Sequence, residues 1–203
     1  MSKEIRIINI GREFGSGGRA VAAELGRLLG IPVYDNELIT KAAEESGFSK
    51  QLFAGKDEKR SLFSISSFFS SGRYSMSDNY LSDNELFKIQ GNVIRKLADE
   101  SPCVFIGRCS DYILRDRNDT LDVFICAPME DRITRICERE NLSREDAEDL
   151  IIRKDRTRKT YYDYFTFGDW GMASNYDLCI DSSKLGIEGT AKFIIEFKDR
   201  LAK

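Results

Sequence analysis

Two rhythms of apolar residues alternate along the chain. Ile5, Ile7, Ile8 and Ile10 predict a first strand from Glu4 to Ile10. A glycine-rich turn follows, GREFGSGGR, from Gly11 to Arg19. Then Val21, Leu25, Leu28 and Leu29 recur at helical spacing, and Gly30 is a fitting C-terminal stop. Ile31 to Tyr34 predicts a short strand, and Asp35 stands where a cap belongs for a helix carrying Leu38, Ile39 and Ala42. Between Ser46 and Ser82 the periodicity fades. Serines after Arg60 interleave with Phe63, Phe68, Phe69, Tyr74 and Tyr80, too many aromatics for a linker, so this stretch is read as an insert. Ser82 and Glu85 form a capping box for a helix striped by Leu86, Ile89, Val93, Ile94 and Leu97. Cys103 to Ile106 and Leu121 to Cys126 are apolar runs of strand length. Pro128 suits the first turn of a helix. Ser143, with Asp146 three residues on, starts another helix expected to reach about Thr160. Leu178 to Ile180 is a last strand, and Ile187, Ala191, Ile194, Ile195 and Leu201 mark a tail helix. Five strands alternating with helices predict an α/β fold of βαβ units, a five-stranded parallel sheet with helices on both faces in three layers.

Composition narrows what such a fold does. The 203 residues carry 31 Lys and Arg against 34 Asp and Glu, a formal charge of −3, with 41% apolar residues. That near-neutral balance argues against nucleic acid or a membrane surface as the main partner. No apolar run approaches the roughly 20 residues of a spanning helix, and the opening MSKEIRIINIG does not read as a signal peptide. The chain contains no histidine, which excludes Ser-His-Asp and Cys-His catalysis and His-ligated metals. Five cysteines without a C-x-x-C pair are read as reduced thiols in a cytoplasmic protein, with Cys103, Cys126 and Cys179 in apolar runs. Nothing in the pattern specifies an oligomeric state. The chemistry must rest on Arg, Lys, carboxylates, hydroxyls, thiols or backbone amides.

The turn after the first strand is the leading candidate. Gly15, Ser16, Gly17, Gly18, Arg19 and Ala20 lie between a strand and a helix, where backbone N–H groups cradle phosphate and the helix N-terminus adds favourable charge. The alternative is a tight turn that binds nothing. Set against G-x-x-x-x-G-K-[ST], Glu13 takes the first glycine's place, Arg19 the lysine's and Ala20 the hydroxyl's, with Ser16 the nearest hydroxyl.

Several further segments occur in a telling order: LGIPVYDNELITKAA, CVFIGRCSDYIL, DVFICAPMEDRITRI, RKDRTRK and YDLCIDSSKLGIEGTAKFII. With the loop, they make the chain resemble the cytidylate kinase-like family of P-loop nucleoside monophosphate kinases over nearly its whole length. The resemblance implies a P-loop NTPase-like domain spanning 1–203, with a helical monophosphate-binding insert at 36–100 and a lid at 143–175. It implies ATP and Mg²⁺ as cofactors, small nucleotides as partners, and CMP or dCMP as the first acceptor. Asp35 would orient the acceptor nucleoside, unless it only caps its helix. Arg108, just past a strand, would hold the acceptor phosphate bidentately, unless it pairs with Asp111. The family's Asp beside that Arg is Cys109 here, and Asp111 lies two residues farther on. Asp155 and Arg158 match the lid's Asp-x-x-Arg, with Arg153 and Arg156 beside them.

The residues leave rival readings open. An Asp155–Lys159 pair would make the basic helix a solvated face. Arg132, Arg135 and Arg139 share one helical face, with Asp131 placed to pair with Arg135, and are read as surface pairs, Arg132 the exception. Tyr161, Tyr162, Tyr164, Phe165, Phe167 and Trp170 are read as packing rather than stacking on a base, and Gln90 as a polar contact. The metal slots hold Ala20 and Ile106, leaving Glu13, Asp111 and Ser16 as candidates and the metal ligands undefined. The leading expectation is a kinase in which Arg19, Arg108, Asp155 and Arg158 act. The alternatives are a nucleotide sensor that transfers nothing, or a kinase for another small acceptor selected by the Ser46–Ser82 insert.

Overall fold

The computed structural model describes residues 4–45 and 83–201. The insert between Ser46 and Ser82, with the Ser82 half of the capping box, lies outside the described residues. Strand β1 (Ile7–Arg12) leads into α1 (Gly18–Leu29), β2 (Val33–Tyr34) and α2 (Asn36–Glu45). After the insert come α3 (Asp83–Glu100), β3 (Cys103–Ile106), the short α4 (Ser110–Ile113) and β4 (Thr120–Cys126). Helices α5 (Met129–Glu140) and α6 (Arg144–Thr166), β5 (Leu178–Asp181) and α7 (Ser182–Leu201) complete the chain.

The five strands form one sheet in the order β2-β3-β1-β4-β5, every pairing parallel. Alternation within the strands assigns each face its helices. Ile7, Cys103 and Phe105 pack with Ile39, Leu86, Ile89 and Val93 beneath α2 and α3. Ile8, Ile10, Val104 and Ile106 pack with Val21, Leu25, Ala191 and Ile194 beneath α1 and α7. Central strands are therefore buried on both sides, so that in β1 Ile7, Ile8 and Ile10 are all buried and the buried Asn9 between them donates to Asp122 Oδ1 at 2.7 Å. Truncating a fully buried side chain such as Leu25 to Ala would cost about 2–5 kcal/mol.

Several boundaries differ from expectation for physical reasons. β1 runs to Arg12 because its backbone stays paired with β4 as far as Arg12 opposite Ile125. The first two residues of the presumed turn are thus strand. α6 extends beyond Thr160 to Thr166 because Tyr161, Tyr162 and Phe165 are buried against Cys109 and Phe87. Ser143 caps α6 as expected, its Oγ accepting from the Asp146 N–H at 3.1 Å. Pro128 precedes α5 rather than lying in its first turn. Cys179 is exposed because β5 is an edge strand. Among the described residues no helix is long and apolar enough to cross a membrane.

Candidate functional site

Parallel strands present their carboxyl ends at one edge of the sheet, and the crevice lies where the strand order reverses around β1. Two adjoining cavities occupy that edge. The first, of about 600 Å³, is lined by Gly15, Gly17, Gly18, Arg19 and Ala20 of the loop, together with Arg12, Asp35, Arg139 and Arg158. The second, of about 260 Å³, is lined by Gly107, Arg108, Asp111, Lys154, Tyr161 and Trp170, among others. Arg12, Phe14, Asn36 and Arg158 line both cavities.

The loop is held from behind. Phe14 O accepts from Arg132 Nε at 2.8 Å, Gly15 O from Arg135 Nη1 at 3.3 Å and Ser16 O from Ser182 Oγ at 2.5 Å. The Phe14 N–H donates to Asp155 Oδ1 at 2.7 Å. Gly15 (φ +82°) and Gly17 (φ +80°) take left-handed backbone angles open to glycine at little cost. Three consecutive carbonyls are thereby committed on the outer side. Among the described residues the amides of Gly15, Gly17, Gly18, Arg19 and Ala20 meet no acceptor. A run of free N–H groups at a helix start is an anion cradle.

The structure redistributes the expected roles. Arg19 is largely exposed and reaches Asp35 at 2.5 Å instead of folding over the loop. Asp35 also caps α2, its Oδ1 accepting from the Glu37 and Leu38 N–H groups at 3.1 Å. Ser16 is fully buried, and its hydroxyl donates to Glu13 O at 2.9 Å. Glu13 accepts from Ala127 N–H at 3.1 Å and faces Arg132 at 3.3 Å.

Arg108 is bound to Gln90, not Asp111. Its Nε donates to Gln90 Oε1 at 2.7 Å, its carbonyl accepts from Gln90 Nε2 at 2.7 Å, and its guanidinium lies 4.5 Å from the Tyr161 ring centre. Tyr161 Oη donates to the same Gln90 oxygen at 3.0 Å. Asp111 instead accepts from Tyr162 Oη at 2.7 Å, and burial raises its carboxyl pKa above the ordinary range.

Helical spacing sorts the residues of α6. Lys154, Arg158, Tyr161 and Tyr162 line the cavities, whereas Arg153 and Arg156 are exposed and, like Asp155, line neither. Lys159 pairs with Asp163 at 2.6 Å rather than with Asp155. Asp155 is a hub, binding Phe14 N–H and Arg132 Nη2, with Arg158 3.8 Å away. Burial pushes the Arg158 guanidinium down to about 10, against the pull of Asp155.

Sequence reasoning misplaced two residues, Arg135 and Arg12. Arg132, the expected exception to surface pairing, is only 4% exposed; Arg135 is no surface pair either, and no Asp131–Arg135 pair forms among the described residues; both arginines clamp the loop. Arg12 was absorbed into the glycine-rich turn. It ends β1, and its guanidinium lies so close to Gly107 that a Cβ there would overlap it. Burial, then Arg158, Arg108 and Arg19, hold its pKa well below the ordinary value, with only Asp35 opposing. A charged residue at the end of a central strand was the available signal. Of the aromatics, Tyr161, Tyr162, Phe165 and Trp170 pack together as expected, and Tyr161, Tyr162 and Trp170 also wall the smaller cavity, whereas Tyr164 and Phe167 are exposed rather than packed down.

Comparison with known proteins gives the family and the fold. The family model for the cytidylate kinase-like family matches residues 7–184. The chain belongs to the cytidylate kinase-like family. It is 28% identical over 191 residues to a cytidylate kinase of Methanobrevibacter smithii, covering 93% of this chain and 96% of that protein. Against a cytidylate kinase of Methanopyrus kandleri it is 26% identical, covering 88% and 85%. The match to the Methanocaldococcus jannaschii cytidylate kinase is 30% identical but spans only 62% of that protein and 53% of this chain. A solved structure of an uncharacterized protein from Eubacterium ventriosum superposes with a TM-score of 0.74 at 28% identity, covering 97% and 99% of the two chains. Shikimate kinase from Acinetobacter baumannii, at 14% identity and a TM-score of 0.51 over 96% and 93% of the chains, shares the fold. The fold of this family member is thus that of the P-loop kinases.

Proposed function

We propose that this protein is an ATP-dependent phosphotransferase that passes the γ-phosphoryl of ATP to a nucleoside monophosphate, with CMP or dCMP the first acceptor to test. One observation carries the reading. The loop's carbonyls are tied down by Arg132, Arg135 and Ser182, while Gly15, Gly17, Gly18, Arg19 and Ala20, whose amides meet no acceptor among the described residues, line a cavity whose wall, shared with a second cavity, carries Arg12 and Arg158. In this reading the amides of Gly15, Gly17, Gly18, Arg19 and Ala20 hold the ATP phosphates, while the Ser16 amide stays bound to Glu13 O at 3.4 Å. Arg108, fixed by Gln90 and Tyr161, meets the acceptor phosphate in the smaller cavity, where Asp111 and the aromatic walls face the nucleoside. Arg158 lies between the two ligands. Phosphoryl transfer needs alignment and charge neutralisation more than covalent help, so a site without histidine suffices. Asp155 positions the loop and Arg158 rather than meeting substrate, and Arg153 and Arg156 are left to contacts outside the cavities.

Magnesium does not fit a protein-built site here. Glu13, Asp35 and Asp111 are each committed to a cation or a donor, Ser16 points into its own turn, and no three ligating groups cluster among the described residues. A divalent ion arriving with ATP would be held by phosphate oxygens and water.

A second reading, nucleotide binding without transfer, draws on Arg19 lying outside the cradle. ADP release from Mg·ATP, measured with a panel of nucleoside monophosphates, separates the two. Turnover with one member, CMP or dCMP first, is the expected result. Calorimetric ATP binding with no turnover on any member would establish the second reading.

A further inference from the structure

Arg12 is unlike every other arginine near the loop. Arg132 and Arg135 are bound to protein acceptors, Arg19 to Asp35 and Arg108 to Gln90. The Arg12 guanidinium makes no ion pair and donates no hydrogen bond among the described residues, while its carbonyl accepts from Arg158 Nη1 at 3.0 Å. Its stem runs under the loop, where a Cβ on Gly18 would come within 2.6 Å of Arg12 Cβ. Its head lies against Gly107, at the turn that also carries Arg108. It lines both cavities.

We propose that Arg12 is the cation that bridges the two bound phosphates during transfer, in the role the lysine-like position of Arg19 was expected to fill. The proposal rests on the phosphotransferase reading above. Arg19 starts on the first turn of α1 and is drawn outward by Asp35, whereas Arg12 approaches from the strand beneath, at the wall between the ligands. In the transfer an oxygen of the acceptor phosphate forms a bond to the γ-phosphorus. The bond from that phosphorus to the β–γ bridging oxygen breaks, and ADP leaves with the electron pair. The guanidinium loses no proton; its fork of donors spans the incoming and departing oxygens where negative charge is spread. Gly107 fits the same picture, since any side chain there displaces that head group.

A misplaced charge explains the cost of the arrangement in the free protein. Arg12 is desolvated and crowded by Arg158, Arg108 and Arg19, so without ligand its charge opposes folding. A structural arginine would show the reverse.

The experiment compares Arg12→Met, Arg12→Lys, Gly107→Ala and Arg19→Met with the wild type by steady-state kinetics, ATP calorimetry and thermal melting. For Arg12→Met we expect kcat to fall on the order of 10²–10³-fold. We expect KM for the acceptor to change by no more than roughly tenfold, and the melting temperature without ligand to hold or rise. Arg12→Lys recovers part of kcat, Gly107→Ala follows Arg12→Met in kcat, and Arg19→Met loses less than Arg12→Met. A larger loss at Arg19 than at Arg12 overturns the proposal, as does a fall in kcat explained by a lowered melting temperature. Wild type inactive on every acceptor overturns the phosphotransferase reading itself, and tight ATP binding unaffected by Arg12→Met then removes the anion-holding role as well.

Discussion

Two groups of arginines flank the same loop and live under opposite conditions. Behind it, Arg132 is buried with a carbonyl and two carboxylates for partners, Glu13 and Asp155, and Arg135 reaches Gly15 O, Ser182 and Ser183. In front, Arg12, Arg108 and Arg158 crowd the cavity walls, and burial, with a smaller part from neighbouring arginines, lowers the pKa of Arg12 and Arg158. The difference separates architecture from function. A guanidinium surrounded by acceptors holds the fold, whereas guanidinium groups gathered at a cavity wall are the arrangement that the proposed phosphate site requires.

Breaking each side in turn should produce different losses. Arg132→Met leaves Asp155 and Glu13 facing a buried gap and frees Phe14 O. Removing one partner of such a pair should lower unfolding stability by about 3–5 kcal/mol in urea titration. An unchanged urea midpoint would mean that the clamp is dispensable. Arg158→Met, on the cavity side, should change stability by about 1 kcal/mol or less, yet cut kcat on the order of 10²-fold. Equal stability losses at the two positions would erase the contrast.

The smallest effect concerns Asp111. Burial disfavours its carboxylate, so its folded pKa lies above the unfolded value. Its contribution to stability is therefore fully present below the unfolded pKa and is lost as pH rises through the folded pKa. Tyr162, Tyr176 and Cys109 face the same carboxyl and add no positive charge, while Arg108 lies nearby. Asp111→Asn should be more stable than wild type at pH 8, and the two should converge below about pH 4. A gap that widens toward acid pH would reverse the assignment.

Much of this could be read along the chain. The apolar runs of β1, β3 and β4, the Gly30 stop (φ +66°) and the Ser143 cap stand where local chemistry puts them. The glycines of the loop were legible because few other residues tolerate their backbone angles. Arg12 was not, because Gly11 looks like the start of a turn until the pairing of β1 with β4 carries the strand through it. Arg135 was not, because an arginine on a polar helix looks the same whether it faces water or a loop more than a hundred residues earlier in the chain.

The residues taken in order specify the succession of strands and helices along the chain and the glycine-rich turn between β1 and α1. Those follow from side-chain periodicity and from backbone angles that only certain residues adopt. The tertiary structure alone decided which arginines hold the loop and which face the cavities. That choice depends on acceptors and like charges brought together from distant segments, and Coulomb and hydrogen-bond partners are set by proximity in space.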